Sequence, residues 1–163
     1  MEIKMALYLP RDAASVPVTR QVLDRCLETL GVMPDTRADI ALALSEACAN
    51  VIQHAGPDEE YEVQVSARNR RCVIEVVNGG NGTGTVRGGH QTGQERLGGS
   101  ALASDSLPAT AEHGRGLKII NAVTDNMQLT GNERHGTTVR FEKTLRWLPG
   151  AAGQHLFNAD GGS

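Results

Sequence analysis

Three polar residues recur at helical spacing in the segment of the sequence that offers the most chemistry. Glu46, Asn50 and His54 follow one another at intervals of four residues, so they line one strip of a helix, beside its apolar stripe. A carboxylate at the border of a core-facing surface can polarise a hydroxyl, and an amide oxygen one turn later can coordinate Mg²⁺. On spacing alone, an ordinary solvated helix face explains these residues better than a site does.

Three glycine-containing segments could bind a flat or phosphate-bearing ligand. The sequence Asn-Gly-Gly-Asn-Gly at 78–82 follows an apolar strand, and its glycines would let the backbone approach such a ligand closely. Gly-Arg-Gly-Leu at 114–117 stands at the predicted start of a helix, where free N–H groups and the helix dipole favour an anion. Gly-Thr-Thr-Val at 136–139 opens the last predicted strand. Taken alone, each segment is weak evidence for a ligand, and the GxxxxGK[ST] phosphate loop does not occur in the chain.

The apolar pattern predicts the elements that would position these segments. Their order is strand, two helices, two strands, long loop, helix and two strands, which predicts an α+β fold, a two-layer α/β sandwich with a largely antiparallel sheet. A Rossmann fold is disfavoured because no βαβ repeat is present. The predicted strands lie near 3–9, 61–65, 73–77, 127–130 and 137–145, and the predicted helices near 15–30, 35–55 and 117–124.

Two segments lack any apolar periodicity. Residues 83–113 are rich in Gly, Ser and Thr, and a structureless stretch of that length inside a domain is usually a functional lid or disorder. The tail at 147–163 is rich in Gly, Ala and Pro and is predicted to be disordered. One folded domain over 1–146 is therefore expected.

Composition excludes several classes of function. A net charge of −3 and 3% aromatic residues make nucleic acid an unsuitable partner. The three cysteines lack the spacing of zinc sites or disulfide frameworks, and Cys26 and Cys48 fall in apolar helical patterns that predict buried free thiols. No apolar run has the length of a membrane span, and the first residues do not form a signal peptide, so a cytoplasmic protein is expected.

In this order and spacing, the segments resemble the GHKL family of ATPases and kinases, which has the Bergerat fold, and within it the branch of anti-sigma-factor serine kinases. Residues 46–50 with His54 are similar to the family's N-box, and 78–82 to its D-x-G-x-G box. Residues 114–117 are similar to its G-x-G-L box, and 136–139 to the Gly-Thr pair of its closing strand. The resemblance covers about 3–145 and implies a mostly antiparallel mixed sheet covered on one face by three helices.

The resemblance implies ATP and Mg²⁺ as cofactors and gives each motif a role. Glu46 would be the general base on the attacking hydroxyl, and Asn50 would hold Mg²⁺ at the ATP phosphates. Residues 83–113 would form the ATP lid, and Arg115 would contact phosphate or a partner, although a solvated side chain explains it equally well. The remaining nucleotide-binding residues implied are Asn78, Gly80 and Gly82 at the adenine, Gly114, Gly116 and Leu117 at the phosphates, and Thr137 or Thr138 on the adenine side.

The same resemblance implies a protein serine kinase that phosphorylates an anti-sigma-factor antagonist, holds a sigma factor inactive and forms a homodimer. The alternative is a binding module of the same fold that sequesters a regulator with weak or no ATP binding. A free-standing ATP-hydrolysing regulator, or a fragment paired with a histidine kinase, is disfavoured because the chain has no phosphoacceptor histidine domain.

One residue departs from the family pattern. Asn78 stands where the family has an aspartate that reads the adenine amino group. An amide oxygen still accepts a hydrogen bond, but it carries no charge and its NH₂ needs an acceptor of its own. We therefore expect ATP binding to be weaker by about 1–3 kcal/mol. Few phosphate contacts are expected from the lid, which has no lysine and whose arginines are Arg87 and Arg96.

Overall fold

The computed structural model describes residues 1–53, 60–78, 111–132 and 136–158. Within these ranges the chain forms five strands and four helices, in the predicted order as far as the last strand. The elements are β1 Glu2–Pro10, α1 Ser15–Leu30, α2 Pro34–Gln53, β2 Glu60–Arg68, β3 Arg71–Asn78, α3 Ala111–Val123, β4 Asn126–Asn132, β5 Gly136–Thr144 and α4 Ala152–Asn158.

The five described strands form one sheet in the order β1-β2-β3-β5-β4, and every described pairing is antiparallel. The burial pattern of β2 and β3 has a period of two, so one face of the sheet is covered and the other is open to solvent. Helix α2 packs against β3 and β5 on the covered face, and α1 and α3 flank it. The predicted two-layer α+β fold is confirmed, and β1 lies at one edge of the described sheet.

The apolar stripe of α2 forms the centre of the core. Ile40, Leu44, Ala47 and Val51 are all buried, as their helical spacing predicts. The helix begins at Pro34, slightly before the predicted start, because a proline fits the first turn of a helix, where its missing N–H costs nothing. Among the described helices, none has both the length and the hydrophobicity needed to cross a bilayer.

The two ends of α1 are held by different contacts. Gly31 adopts a left-handed conformation with φ of 80°, and its N–H donates to carbonyl oxygens in the last turn of the helix. Ser15 lies inside the first turn of α1, and its hydroxyl is 2.6 Å from the Tyr61 hydroxyl. Ser15 therefore ties the start of α1 to β2.

The prediction of a disordered tail is wrong over Ala152–Asn158, which forms α4. Phe157 is buried and stacks on Trp147 with ring centroids 5.5 Å apart, and Trp147 pairs with Val32 between α1 and α2. Gly153 allows this packing, since a methyl group there would lie 2.7 Å from the Leu30 carbonyl oxygen. The stacking of two aromatic rings ten residues apart therefore stabilises a helix in a segment whose Gly- and Ala-rich composition predicts disorder.

Burial of the cysteines differs from the prediction at one position. Cys48 and Cys72 are buried, whereas Cys26 is exposed on the outer side of α1. Burial raises the pKa of both the Cys48 and the Cys72 thiol to about 12, because a thiolate is poorly solvated in an apolar core.

We expect an alkylating reagent at pH 8 to modify Cys26 alone in the native protein, because only this thiol is exposed to the reagent. Mass spectrometry should show one fast adduct, and the Cys26→Ser variant should show none until denaturant is added. Two or three fast adducts in the native protein would contradict the burial of Cys48 and Cys72.

Candidate functional site

Glu46 and Asn50 lie one turn apart on α2, and both side chains are half-buried. The neighbouring Ala47 and Cys48 are buried completely and hold this turn of the helix on the sheet. The two polar groups therefore lie at the border of the packed surface, where a ligand can reach them while the helix stays fixed. His54, the third residue of the predicted strip, is outside the described residues.

Helix α3 approaches α2 at Glu46. A methyl group added at Gly116 would lie 2.9 Å from Oε2 of Glu46, so the carboxylate rests against α3 at this glycine. Among the described residues, a methyl group added at Gly114 would meet nothing within 4 Å. The two glycines of the Gly-x-Gly sequence therefore differ: Gly116 leaves room for the carboxylate, and Gly114 has no such neighbour among the described residues.

The Gly-x-Gly sequence lies inside α3 and not at its start, which corrects the prediction. Because α3 begins at Ala111, Gly114 is its fourth residue, and the N–H groups that a helix leaves free belong to the turn before it. Leu117 packs against the core, whereas Arg115 is exposed to solvent. Residues 111–113 show no more apolar periodicity than the Gly-, Ser- and Thr-rich segment before them, so the start of the helix is predicted too late in the sequence.

Asn78 is the last residue of β3, the central strand, and is 8% exposed. It lies on the helix-facing side of the strand with Ile74 and Val76. On β5, Thr137 shares the helix-facing side with Val139, whereas Thr138 pairs with Val77 on the open side. Of the two threonines, Thr137 therefore shares a face with Asn78.

Several candidate residues cannot be placed. Gly80, Gly82 and the arginines Arg87 and Arg96 fall outside the described residues, as does most of the predicted lid. The site as described consists of Glu46 and Asn50 on α2, the Gly-x-Gly helix beside them, and Asn78 with Thr137 at one end of the sheet.

Tyr61 is a neighbour of Asn78 that the sequence analysis treats only as a strand residue. It pairs with Asn78 across β2 and β3 and is fully buried. Burial raises the pKa of its hydroxyl, which stays protonated and forms the hydrogen bond with Ser15. The only sequence signal is a phenol in a row of buried aliphatic residues, which needs a partner for its hydroxyl.

A second contact missed by the sequence analysis joins three elements at the other end of α3. Nζ of Lys143 on β5 lies 2.8 Å from Oδ2 of Asp39 on α2 and 2.7 Å from the carbonyl oxygen of Val123, the last residue of α3. Lys143 continues the inward-facing series of Val139 and Phe141. A lysine in such a series is a sequence signal for a paired, partly buried cation.

The open face of the sheet carries a shallow depression lined by charged and polar side chains. Its cations already have partners: Arg140 pairs with Glu75 and Glu142, and Lys4 pairs with Glu2. Because the charges of these cations are already neutralised, the depression is poorly suited to a phosphate group. The side of the sheet that the helices cover is therefore the better candidate site.

Comparison with known proteins identifies the family. Residues 9–143 match the histidine kinase-like ATPase domain, and the chain belongs to this family. The serine-protein kinase RsbW of Bacillus mycoides is 27% identical over 145 residues, which cover 88% of this chain and 86% of that protein. The RsbW of Bacillus thuringiensis is 26% identical over 143 residues, with the same coverage.

A solved structure has the same fold. The crystal structure of the RsbU and RsbW domains of a Mycobacterium tuberculosis protein matches with a TM-score of 0.60 at 17% identity. The match covers 90% of this chain and 34% of that one, so this chain spans about a third of its length. The predicted membership of the GHKL fold is confirmed.

The contact between Glu46 and Gly116 can be tested by stability alone. An alanine at Gly114 should stabilise the protein by about 0.5–1 kcal/mol, because alanine is favoured over glycine inside a helix and the space is free. At Gly116 the same gain should be missing, since the methyl group must displace the Glu46 carboxylate, and it should return in a Glu46→Ala background. Urea unfolding measures all four variants, and equal gains at both glycines in the otherwise unchanged protein would refute the contact.

Proposed function

We propose that this chain is an ATP-dependent protein serine kinase that also acts as an anti-sigma factor, switching between a sigma factor and the antagonist of that factor. The observation that carries the proposal is the contact between the Glu46 carboxylate and Gly116 of α3. Glu46 lies one helical turn from Asn50 on α2. Membership of the histidine kinase-like ATPase family supports nucleotide use, and relatives named serine-protein kinase RsbW support a serine as the acceptor.

The chemistry of Asn50 fits a magnesium ion bound together with nucleotide. Its amide is a hard oxygen donor at a half-buried position, and the described residues contain no cluster of three acidic, His or Cys side chains that would bind the ion by itself. Mg²⁺ typically takes one or two protein ligands and completes its shell with phosphates and water. When bound, the ion would neutralise charge on the phosphates.

Glu46 is placed to act on the acceptor. Phosphoryl transfer depends mainly on positioning and charge neutralisation, and the general base orients the attacking hydroxyl and accepts its proton. The Glu46 carboxylate is held between the buried turn of α2 and the surface of α3, so its direction is restricted before any substrate arrives. A serine hydroxyl that reaches this point would lose its proton to Glu46.

A second candidate function is a binding module of the same fold with weak or no ATP binding, and Asn78 favours it. The side chain is a neutral amide in a buried position at which the family pattern has an aspartate. In either case we propose protein partners in the cytoplasm, namely a sigma factor and its antagonist, and a homodimer. Residues 83–113 remain the proposed ATP lid.

Mg-ATP should raise the melting temperature of the protein, because a ligand that binds only the folded state stabilises it. The Asn78→Asp variant should show a larger shift, by about 1–3 kcal/mol of additional binding free energy, since a charged acceptor binds the adenine amino group more strongly. A shift in the variant alone would favour the binding module. No shift in either protein would refute nucleotide binding.

The Glu46→Gln variant should keep the shift with Mg-ATP and lose phosphate transfer by about a hundredfold or more, because it lacks only the proton acceptor. Transfer is measured with γ-labelled ATP and the anti-sigma-factor antagonist from the same genome. Full transfer by Glu46→Gln would exclude Glu46 as the base.

A further inference from the structure

Helices α2 and α3 run antiparallel and meet at two described points. At one point the Glu46 carboxylate rests against Gly116. At the other, Lys143 bridges Asp39 of α2 and the carbonyl oxygen of Val123 of α3. Asp39 precedes Glu46 by seven residues and Val123 follows Gly116 by seven, so the two points lie about 10 Å apart along both helices.

Over its described side chains, α3 is packed most tightly at one position. From Gly114 to Val123, Ile120 is the one fully buried side chain. Leu117 and Val123 pack against the core but are only partly buried. The apolar contact near the C-terminal end of α3 is therefore weaker than the one at Ile120, and a polar contact there adds a restraint on the helix.

The Lys143 contact supplies the second fixed point. The side chain of Lys143 is 17% exposed, so its charge–charge contact with Asp39 is partly shielded from water. Its ammonium also lies at the C-terminal end of α3, where a cation stabilises the free carbonyl groups and the helix dipole. Because Lys143 belongs to β5, this contact joins both α2 and α3 to the sheet.

We propose that Lys143 is a positioning residue: by holding the end of α3 to Asp39 and β5, it keeps the Gly-x-Gly turn beside Glu46. It would act through the helix pair and not through contact with a ligand. The consequence for nucleotide binding rests on the proposed function, whereas the consequence for the order of α3 does not.

The chain offers a matched control on the same helix. Arg37 of α2 is also 17% exposed, and its guanidinium lies 3.4 Å from Asp24 and 3.2 Å from Glu28 of α1. Lys143→Met and Arg37→Met each remove a partly buried, paired cation from a contact of α2. Only the first removes a contact to α3.

Hydrogen exchange read by mass spectrometry tests the mechanical part of the proposal. In Lys143→Met, amides of 111–123 should exchange about tenfold faster than in the unchanged protein, and in Arg37→Met they should exchange at the original rate. Equal effects of both variants on 111–123 would overturn the proposal. If Lys143→Met does not fold, Asp39→Asn removes the negative charge beside Lys143 but keeps an acceptor oxygen, so it should give a smaller effect in the same residues.

Calorimetric titration with Mg-ATP, at a temperature where all variants are folded, tests the functional part. The Kd should rise about tenfold in Lys143→Met and stay within about twofold in Arg37→Met. Faster exchange without any change in Kd would overturn the link between Lys143 and the site. If the unchanged protein binds no Mg-ATP, the proposed function fails, and the exchange experiment alone decides whether Lys143 positions α3.

Discussion

The packing of α2 on the centre of the sheet is the constraint on which the rest of the structure depends. One side of this helix must bury Ile40, Leu44, Ala47 and Val51 against β3 and β5. Since 3.6 residues make a turn, that requirement fixes where Glu46 and Asn50 point. The packing energy of an apolar stripe is therefore also what orients the polar groups beside it, so the site and the core cannot be altered independently.

The local elements could be predicted from the sequence because their signals are local. The stripe of α2, the alternation in β2 and the stop at Gly31 each follow from residues within a few positions of one another. The family motifs locate Glu46, Asn50 and Asn78 in the same way. The start of α3 could not be predicted, because a glycine pair looks like a helix boundary when the residues before it carry no pattern.

Long-range contacts could not be predicted, because they pair residues that share no local pattern. Lys143 and Asp39 are 104 positions apart, and neither shows its partner in its own neighbourhood. Helix α4 escaped prediction for a related reason: its stability comes from Phe157 stacking on Trp147, while its own residues are mostly small or polar. Tyr61 and Ser15 join β2 to α1 in the same manner.

The amide at Asn78 has a consequence for the protein without ligand. A carboxylate that is 8% exposed would have to give up most of its hydration, which costs free energy unless a donor compensates it. A neutral amide avoids most of that cost. If Asn78 reads the adenine, as we propose, the amide that weakens this recognition would stabilise the protein without ligand, which is the usual opposition between stability and activity at a site.

The stacked pair of Trp147 and Phe157 also determines which part of this molecule intrinsic fluorescence can monitor. Trp147 is the one tryptophan in the chain, and it lies against Val32 and Phe157. Val32 stands just before α2, and Glu46 is twelve residues beyond Pro34, about 18 Å along the helix. Intrinsic fluorescence is therefore a probe of the seam between α4 and the start of α2, and it will follow the undocking of the C-terminal helix more faithfully than events at the carboxylate.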